Sequence, residues 1–278
     1  EISPNMNTPC PPLQRGFTLI EMLIVIAIIA IIAALAFPVF GRIRASGNAA
    51  KVTSNLRQIG IAISSYASDN GMRLPASGTT TGDNPAGYGL QPSVHTWVRL
   101  LSPNHRGTGA YNDPGTRLGA HLAPYAGVTG NPNDEKAIEI IRDPAWEAAA
   151  KKNGAATYAY WAAPPFVLRP VIRKSANPGV SADLYPFGKD GQQTSALKLA
   201  DTYARIASEI PAGRTWALIQ ADRGLITDSK GEITSGMVHN QAPAAPVLGT
   251  YRLALMFDWS VQRIPAGTDL AGPLAAKN

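Results

Sequence analysis

Cysteine is all but missing: Cys10 is the only one in 278 residues. One thiol forms no intrachain disulfide and no zinc–thiolate cluster, so the fold closes on packing and hydrogen bonds. Charge is also sparse. Only 16% of residues are charged, with 25 Lys and Arg against 19 Asp and Glu and a formal net charge of +6. The basic excess is scattered and never gathers into a Lys/Arg run, so no nucleic-acid partner is expected. The sequence carries no Gly-x-Ser-x-Gly, no His-Glu-x-x-His, no P-loop and no dinucleotide fingerprint, and the chain is not expected to be an enzyme.

What remains of catalytic patterning is thin. Ser195-Ala196-Leu197-Lys198 fits Ser-x-x-Lys, and Ser68-Asp69-Asn70 fits the companion motif of penicillin-binding enzymes, but in reversed order. His95, His105, His121 and His239 are far apart and read as surface or hydrogen-bonding residues rather than ligands. Calcium has weak candidates in Asn133, Asp134 and Glu135, with Asn131 nearby and Asp83 and Asn84 as a second pair. A hard cation wants six to eight oxygens, and neither group has the spacing of a calcium loop. A helix N-cap at Asn133 or Asp134 is the simpler expectation. No cofactor is otherwise implied.

Against these absences stands one long apolar run. Arg15-Gly16-Phe17-Thr18-Leu19-Ile20-Glu21 leads into uninterrupted hydrophobic sequence as far as Phe37, with Glu21 as the one acid inside it. A carboxylate in bilayer hydrocarbon costs roughly 2.5–3.5 kcal/mol on insertion scales, so such a group usually has a partner. An ordinary secretory signal, cut after Ala34-Leu35-Ala36, is the rival reading. Against it, the run is long, holds Glu21, and would leave Phe37-Pro38 just after the cut.

Gly16-Phe17-Thr18-Leu19-Ile20-Glu21, followed by Met22 to Ala30, resembles the processing site of type IV pilins and type II secretion pseudopilins. The resemblance implies cleavage after Gly16 by a prepilin peptidase, methylation of Phe17 as the new N-terminus, and a role for Glu21 as the assembly glutamate. It also implies that Pro38 kinks the first helix partway along. Cys10 would leave with the leader, so the mature chain would hold no thiol. Many pilins staple a C-terminal loop with a disulfide, and this absence tilts the likeness toward pseudopilins. The family places the N-terminus in the cytoplasm and the head outside. Arg15 before the span and Arg42 and Arg44 after it favour the opposite orientation by the positive-inside rule.

Helical periodicity continues past the membrane segment. Ala45, Ala49, Val52, Leu56, Ile59, Ile63 and Tyr66 step by three or four along one face, while Asn48, Lys51, Asn55, Arg57, Ser64 and Ser65 fill the other. Asn70-Gly71 supplies a C-cap. A helix from Phe17 to Asp69 would be about 80 Å long at 1.5 Å per residue. Four segments result: a leader at 1–16, a transmembrane and assembly half-helix at 17–40, an amphipathic half at 41–70, and a globular head at 71–278.

The head is rich in turns, with 26 Gly and 23 Pro in the whole chain. Short helices are expected at Trp97–Leu101, Leu118–Tyr125 and Asp134–Arg142, with another turn or helix from Pro144 to Lys152. Strands are expected at Thr157–Trp161 and Trp216–Gln220, with a loop or short helix at Leu197–Ser208. Tyr251–Phe257 and Val261–Ile264 form a hairpin around Asp258-Trp259-Ser260. Ser54 to Gly60 and Tyr66 to Gly71 look like the helix end of a large bacterial pseudopilin-like group. That group closes on a histidine and a strand ending Asp-Gly-His-Val. Here His239 and Asp258-Trp259-Ser260-Val261 hold similar places, with Trp259 for the glycine and Ser260 for the histidine. Trp259, at the hairpin tip, is a candidate exposed contact.

The fold class expected is α+β and pilin-like: a long N-terminal helix packed on an antiparallel sheet with long loop insertions. The resemblance implies a structural subunit of a type IV pilus-like filament or a secretion pseudopilus. Its partners would be a prepilin peptidase, other pilin or pseudopilin subunits, an inner-membrane assembly platform and membrane lipid. It would sit as a single-pass inner-membrane protein before entering the filament. A membrane-anchored envelope binding protein or hydrolase that does not polymerise is the alternative.

Overall fold

The computed structural model describes residues 17–75, 90, 93–94, 97–99, 117–131, 134–154, 165–169, 172, 185–188, 198–199, 212–223, 225 and 241–270. The chain divides into two units, Glu1–Arg44 and Ala45–Asn278. In the first unit the described residues are the start of α1, which runs Leu19–Asp69. From Leu19 to Phe37 this helix is 19 residues long, apolar, and buried nowhere. At 1.5 Å per residue that is about 28 Å, close to the roughly 30 Å hydrocarbon core of a bilayer. The helical backbone is continuous through position 38.

The second unit is built on a five-stranded antiparallel sheet. Its strands are β1 (Ser93–Val94), β4 (Phe166–Leu168), β5 (Trp216–Gln220), β6 (Tyr251–Met256) and β7 (Val261–Pro265), in the order β1-β4-β5-β6-β7. A separate pair joins β2 (Trp97–Arg99) to β3 (Glu135–Ala137). Besides the second half of α1, the described residues of this unit include two short helices, α2 (Leu118–Leu122) and α3 (Pro144–Lys152).

Both faces of the sheet are covered. On one side Val52, Leu56, Ile59 and Ile63 of α1 join Phe166, Leu168, Leu218, Leu253 and Leu255 in one cluster. On the other, Trp146 and Ala150 of α3 meet Val167, Trp216, Ile219, Ala254 and Met256. Along β4 and β6 alternate residues thus enter opposite cores, as the two-residue side-chain period dictates, whereas in β5 Ala217 and Leu218 both enter the first core, at a register shift between Trp216 and Leu218. β5, the middle strand, is buried along its whole length. Edge strand β1 has two residues and edge strand β7 ends on Pro265, both of which discourage pairing with another chain.

The amphipathic seam of α1 is present from Ala49 to Tyr66. Ala45 is exposed and does not belong to it. Asn55, expected on the polar face, is buried, and its amide donates to the carbonyls of Glu139 (3.3 Å) and Arg142 (2.8 Å). The helix stops as expected. Gly71 takes a left-handed φ of 62°, and the Met72 N–H reaches back to Ala67 O at 2.7 Å in a Schellman-type closure.

Two expected helices are strands or turns instead. Trp97–Arg99 is β2, and Asp134–Arg142 is β3 followed by a single 3-10 turn at Glu139–Ile141. The N-cap expected at Asn133 or Asp134 has no helix to cap. That role falls to Asp143, whose Oδ1 accepts from the N–H groups of Ala145 and Trp146, each at 3.1 Å, at the start of α3. The helix at Leu118, the α3 segment, β5 and the β6–β7 hairpin lie where the sequence put them. Thr157–Trp161 lies outside the described residues, as does all of Leu197–Ser208 except Lys198 and Leu199.

Candidate processing and assembly segment

Thr18 and Glu21 open α1 as a reciprocal pair. The Thr18 N–H and the Thr18 hydroxyl each donate to Glu21 Oε2 at 2.8 Å, and the Glu21 N–H donates to Thr18 Oγ1 at 3.3 Å. This is a capping box, a Ser/Thr followed three residues later by Glu or Gln. It satisfies donors that the first helical turn leaves without partners. The pattern Thr18-x-x-Glu21 before an apolar run is the sequence signal of such a cap. Phe17 precedes the cap and is 77% exposed, so the bond on its N-terminal side would lie at the entrance of the helix, not within it. Gly16 lies outside the described residues, and Pro38 lies on α1.

At the hairpin tip, Asp258 Oδ1 accepts from the Ser260 N–H (2.9 Å) and hydroxyl (2.6 Å). The turn puts Trp259 at φ 62°, where glycine is the natural occupant. Trp259 is half-buried, and its Cβ sits over Gly60 of α1, where an added Cβ would lie 3.3 Å away. A second glycine serves the same turn. A Cβ on Gly213 would stand 2.6 Å from Asp258 Oδ2, while the Gly213 carbonyl accepts from the Gln262 amide at 2.6 Å.

Asp134 pairs with Lys136 at 3.6 Å, Glu135 begins β3, and Asn133 lies outside the described residues, as do Asp83 and Asn84. Among the described residues no group of three or more His, Cys, Asp or Glu is placed to hold a metal. His121 is buried edge-on to Tyr66, with ring centroids 5.5 Å apart. His95, His105, His239 and Ser195 lie outside the described residues. Ser68, Asp69 and Asn70 have local duties: Ser68 bonds Ser64 O (3.1 Å), Asp69 accepts from the Tyr125 hydroxyl (2.9 Å), and Asn70 bonds Tyr66 O (2.8 Å).

The polar groups that organise the head were invisible in the sequence. Asp143 is fully buried, and its Oδ2 accepts from the Gln220 amide. Gln220 Oε1 in turn accepts from the Leu253 N–H at 2.7 Å, so one carboxylate ties α3 to β5 and β6. Burial pushes the Asp143 carboxyl above its ordinary range, against the pull of its hydrogen bonds from Trp146, Gln220 and Ala145. Asp222 and Arg252 form a buried two-pronged ion pair, and Arg252 also donates to Ala266 O at 2.8 Å.

Comparison with known proteins finds likenesses to the N-terminal part of the chain. Residues 12–37 match the model of the prokaryotic N-terminal methylation motif. The chain is 43% identical over 58 residues to the type IV major pilin protein PilA of Myxococcus xanthus (strain DK1622), covering 21% of this chain and 26% of that protein. It is 38% identical over 82 residues to the type IV major fimbrial protein FimA of Dichelobacter nodosus, covering 28% of this chain and 51% of that protein. The chain thus spans about a quarter and about half of the lengths of these two relatives. No solved structure matches it. With a methylation segment leading into an apolar helix, and an antiparallel sheet in an α+β head, the chain is similar to type IV pilins over its N-terminal part.

Proposed function

We propose that this chain is a structural subunit of a type IV pilus-like filament or a type II secretion pseudopilus, cut after Gly16 and N-methylated at Phe17. The observation that carries the reading is the coincidence of three features at one place. The methylation motif covers residues 12–37, the apolar helix begins at Leu19, and its one acid is Glu21 in the first turn. Before cleavage Glu21 is held by Thr18. After cleavage the Phe17 amine becomes a cation one residue from that cap, and the carboxylate gains a charged partner within a subunit or between two. In a low-dielectric setting such a pair sets register more than it adds stability, because desolvation offsets much of the attraction. The partners of this reading are a prepilin peptidase, other subunits and an inner-membrane assembly platform. Calcium through Asn133, Asp134 and Glu135 belongs to the same proposal.

Co-expression with a prepilin peptidase tests the processing step. Mass spectrometry is expected to find N-methyl-Phe17 as the first residue, and Gly16→Val is expected to leave the precursor uncut. A mature terminus at Phe37 would support the ordinary signal-peptide cut and sink the proposal.

A further inference from the structure

We propose that the Arg44–Ala45 peptide bond of α1 is a cleavage site for an arginine-specific protease, and that the cut frees the head from its anchor. The inference rests on the reading of Leu19–Phe37 as a membrane segment. At 1.5 Å per residue Arg44 stands about 10 Å past Phe37 along the helix, at the outer edge of a headgroup layer roughly 5–8 Å deep.

Between the apolar span and the seam, α1 is helical without support. Gly41, Ile43, Arg44, Ala45, Ser46 and Gly47 are all exposed, and full burial begins only at Ala49. A Cβ added to Gly41 or Gly47 would meet nothing within 4 Å. Each glycine weakens the helix about fivefold relative to alanine, and Pro38, having no N–H, leaves one helical bond unmade. Packing compensates for none of this, so the stretch opens before the rest of the helix, and a protease cuts the opened form. The next basic residues along α1 differ. Lys51 and Arg57 are exposed too, but opening the helix around them also uncovers Val52 and Leu56, both 0% exposed. Each such side chain lowers the open population roughly tenfold or more. The step is hydrolysis: water adds across the bond from the Arg44 carbonyl carbon to the Ala45 nitrogen, leaving a carboxylate on Arg44 and an amine on Ala45. An arginine-specific protease presents a carboxylate to the guanidinium. No Asp or Glu from Met22 to Ser68 is there to repel it. A subunit cut here loses its hold on the membrane, which removes it from the pool available for assembly.

Limited digestion of the full chain by trypsin in detergent micelles, followed by mass spectrometry, tests this. A fragment beginning at Ala45 is expected before any cut after Lys51 or Arg57. Gly41→Ala/Gly47→Ala is expected to slow its appearance roughly 25-fold, from about fivefold per glycine, without moving the urea midpoint of the head. Arg44→Gln is expected to abolish the fragment. An earlier cut after Lys51 or Arg57, no fragment beginning at Ala45, or an unchanged rate in the double alanine variant would overturn the inference and leave the anchor reading intact. Uncut chain stripped by alkali from phosphatidylcholine vesicles would overturn the anchor reading, and with it the release of a head from a membrane.

Discussion

At Glu21 the carboxylate already serves its own helix, so replacing it by Ala removes a cap and a charge together. Glu21→Gln separates them, because glutamine also completes a capping box. If filament assembly needs the charge, both variants are expected to be processed and inserted yet absent from sheared-filament fractions. Recovery of the Gln variant in filaments would assign the residue to capping alone. Trp259 presents another conflict resolved at one position. Its left-handed φ costs about 1–2 kcal/mol for a residue with a Cβ, and its packing over Gly60 offsets that cost. Gly60→Leu is expected to destabilise the head by about 1–3 kcal/mol by overpacking, read as a lower denaturation midpoint. Gly60→Ala is expected to be milder, since alanine regains up to about 1 kcal/mol of helix propensity.

Asp143 gives the residue scale a pH dependence. Its carboxyl is raised in the fold by burial, so the folded state holds the proton more tightly than the unfolded chain, whose value is about 3.9. Stability from this group is then greatest below that value and is lost as pH rises through the folded pKa. Asp143→Asn keeps a capping oxygen and abolishes the titration. Urea denaturation at a series of pH values is expected to show the wild type gaining on the variant as pH falls from neutrality toward about 4. A constant difference between the two proteins would remove Asp143 as the source.

At the scale of elements, legibility followed the reach of the signal. The seam of α1, the Gly71 stop, the helix at Pro144 and the Tyr251 hairpin each carry their cause within a few residues, and each was readable. Asp134–Arg142 misled because a short apolar-polar alternation fits a helix face as well as a strand and turn. Pairing with Trp97–Arg99, far away in sequence, decides it. Asn55 misled for a related reason: its helical angle is marginal, and the carbonyls it serves arrive from residues 139 and 142. The second core under the sheet was not legible at all, since β5 shows five residues of hydrophobic or amide character without alternation. Chemical denaturation is expected to rank these positions. Leu56→Ala or Ile59→Ala should cost about 2–5 kcal/mol, and Asn55→Ala about 1–3 through the two carbonyls left unserved. Lys51→Ala should stay within about 0.5 kcal/mol. Equal losses at Leu56 and Lys51 would mean the seam does not pack on the sheet.

For the whole molecule, exposed hydrophobic side chains are segregated. Among the described residues, every large exposed hydrophobic except Ile61 and Met72 lies between Phe17 and Ile43. A chain beginning near Arg42 discards nearly all of that surface and keeps the unit from Ala45 onward. It is expected to be soluble, folded and monomeric by analytical ultracentrifugation, with the aggregation tendency of the full chain confined to the discarded part.

The tie between the sheet and the segment after β7 has an optical consequence. The Trp216 indole N–H donates to Leu270 O at 3.1 Å, Arg169 donates to the same carbonyl at 3.0 Å, and the Arg169 guanidinium lies 4.9 Å above the Trp216 ring. Trp216 is 1% exposed under this closure. Its emission should therefore be blue and resistant to iodide quenching for as long as the C-terminal segment stays seated, and should redden when trimming passes Leu270. Trp216 thus works as a built-in seal indicator, able to report by fluorescence whether a subunit's tail is in place.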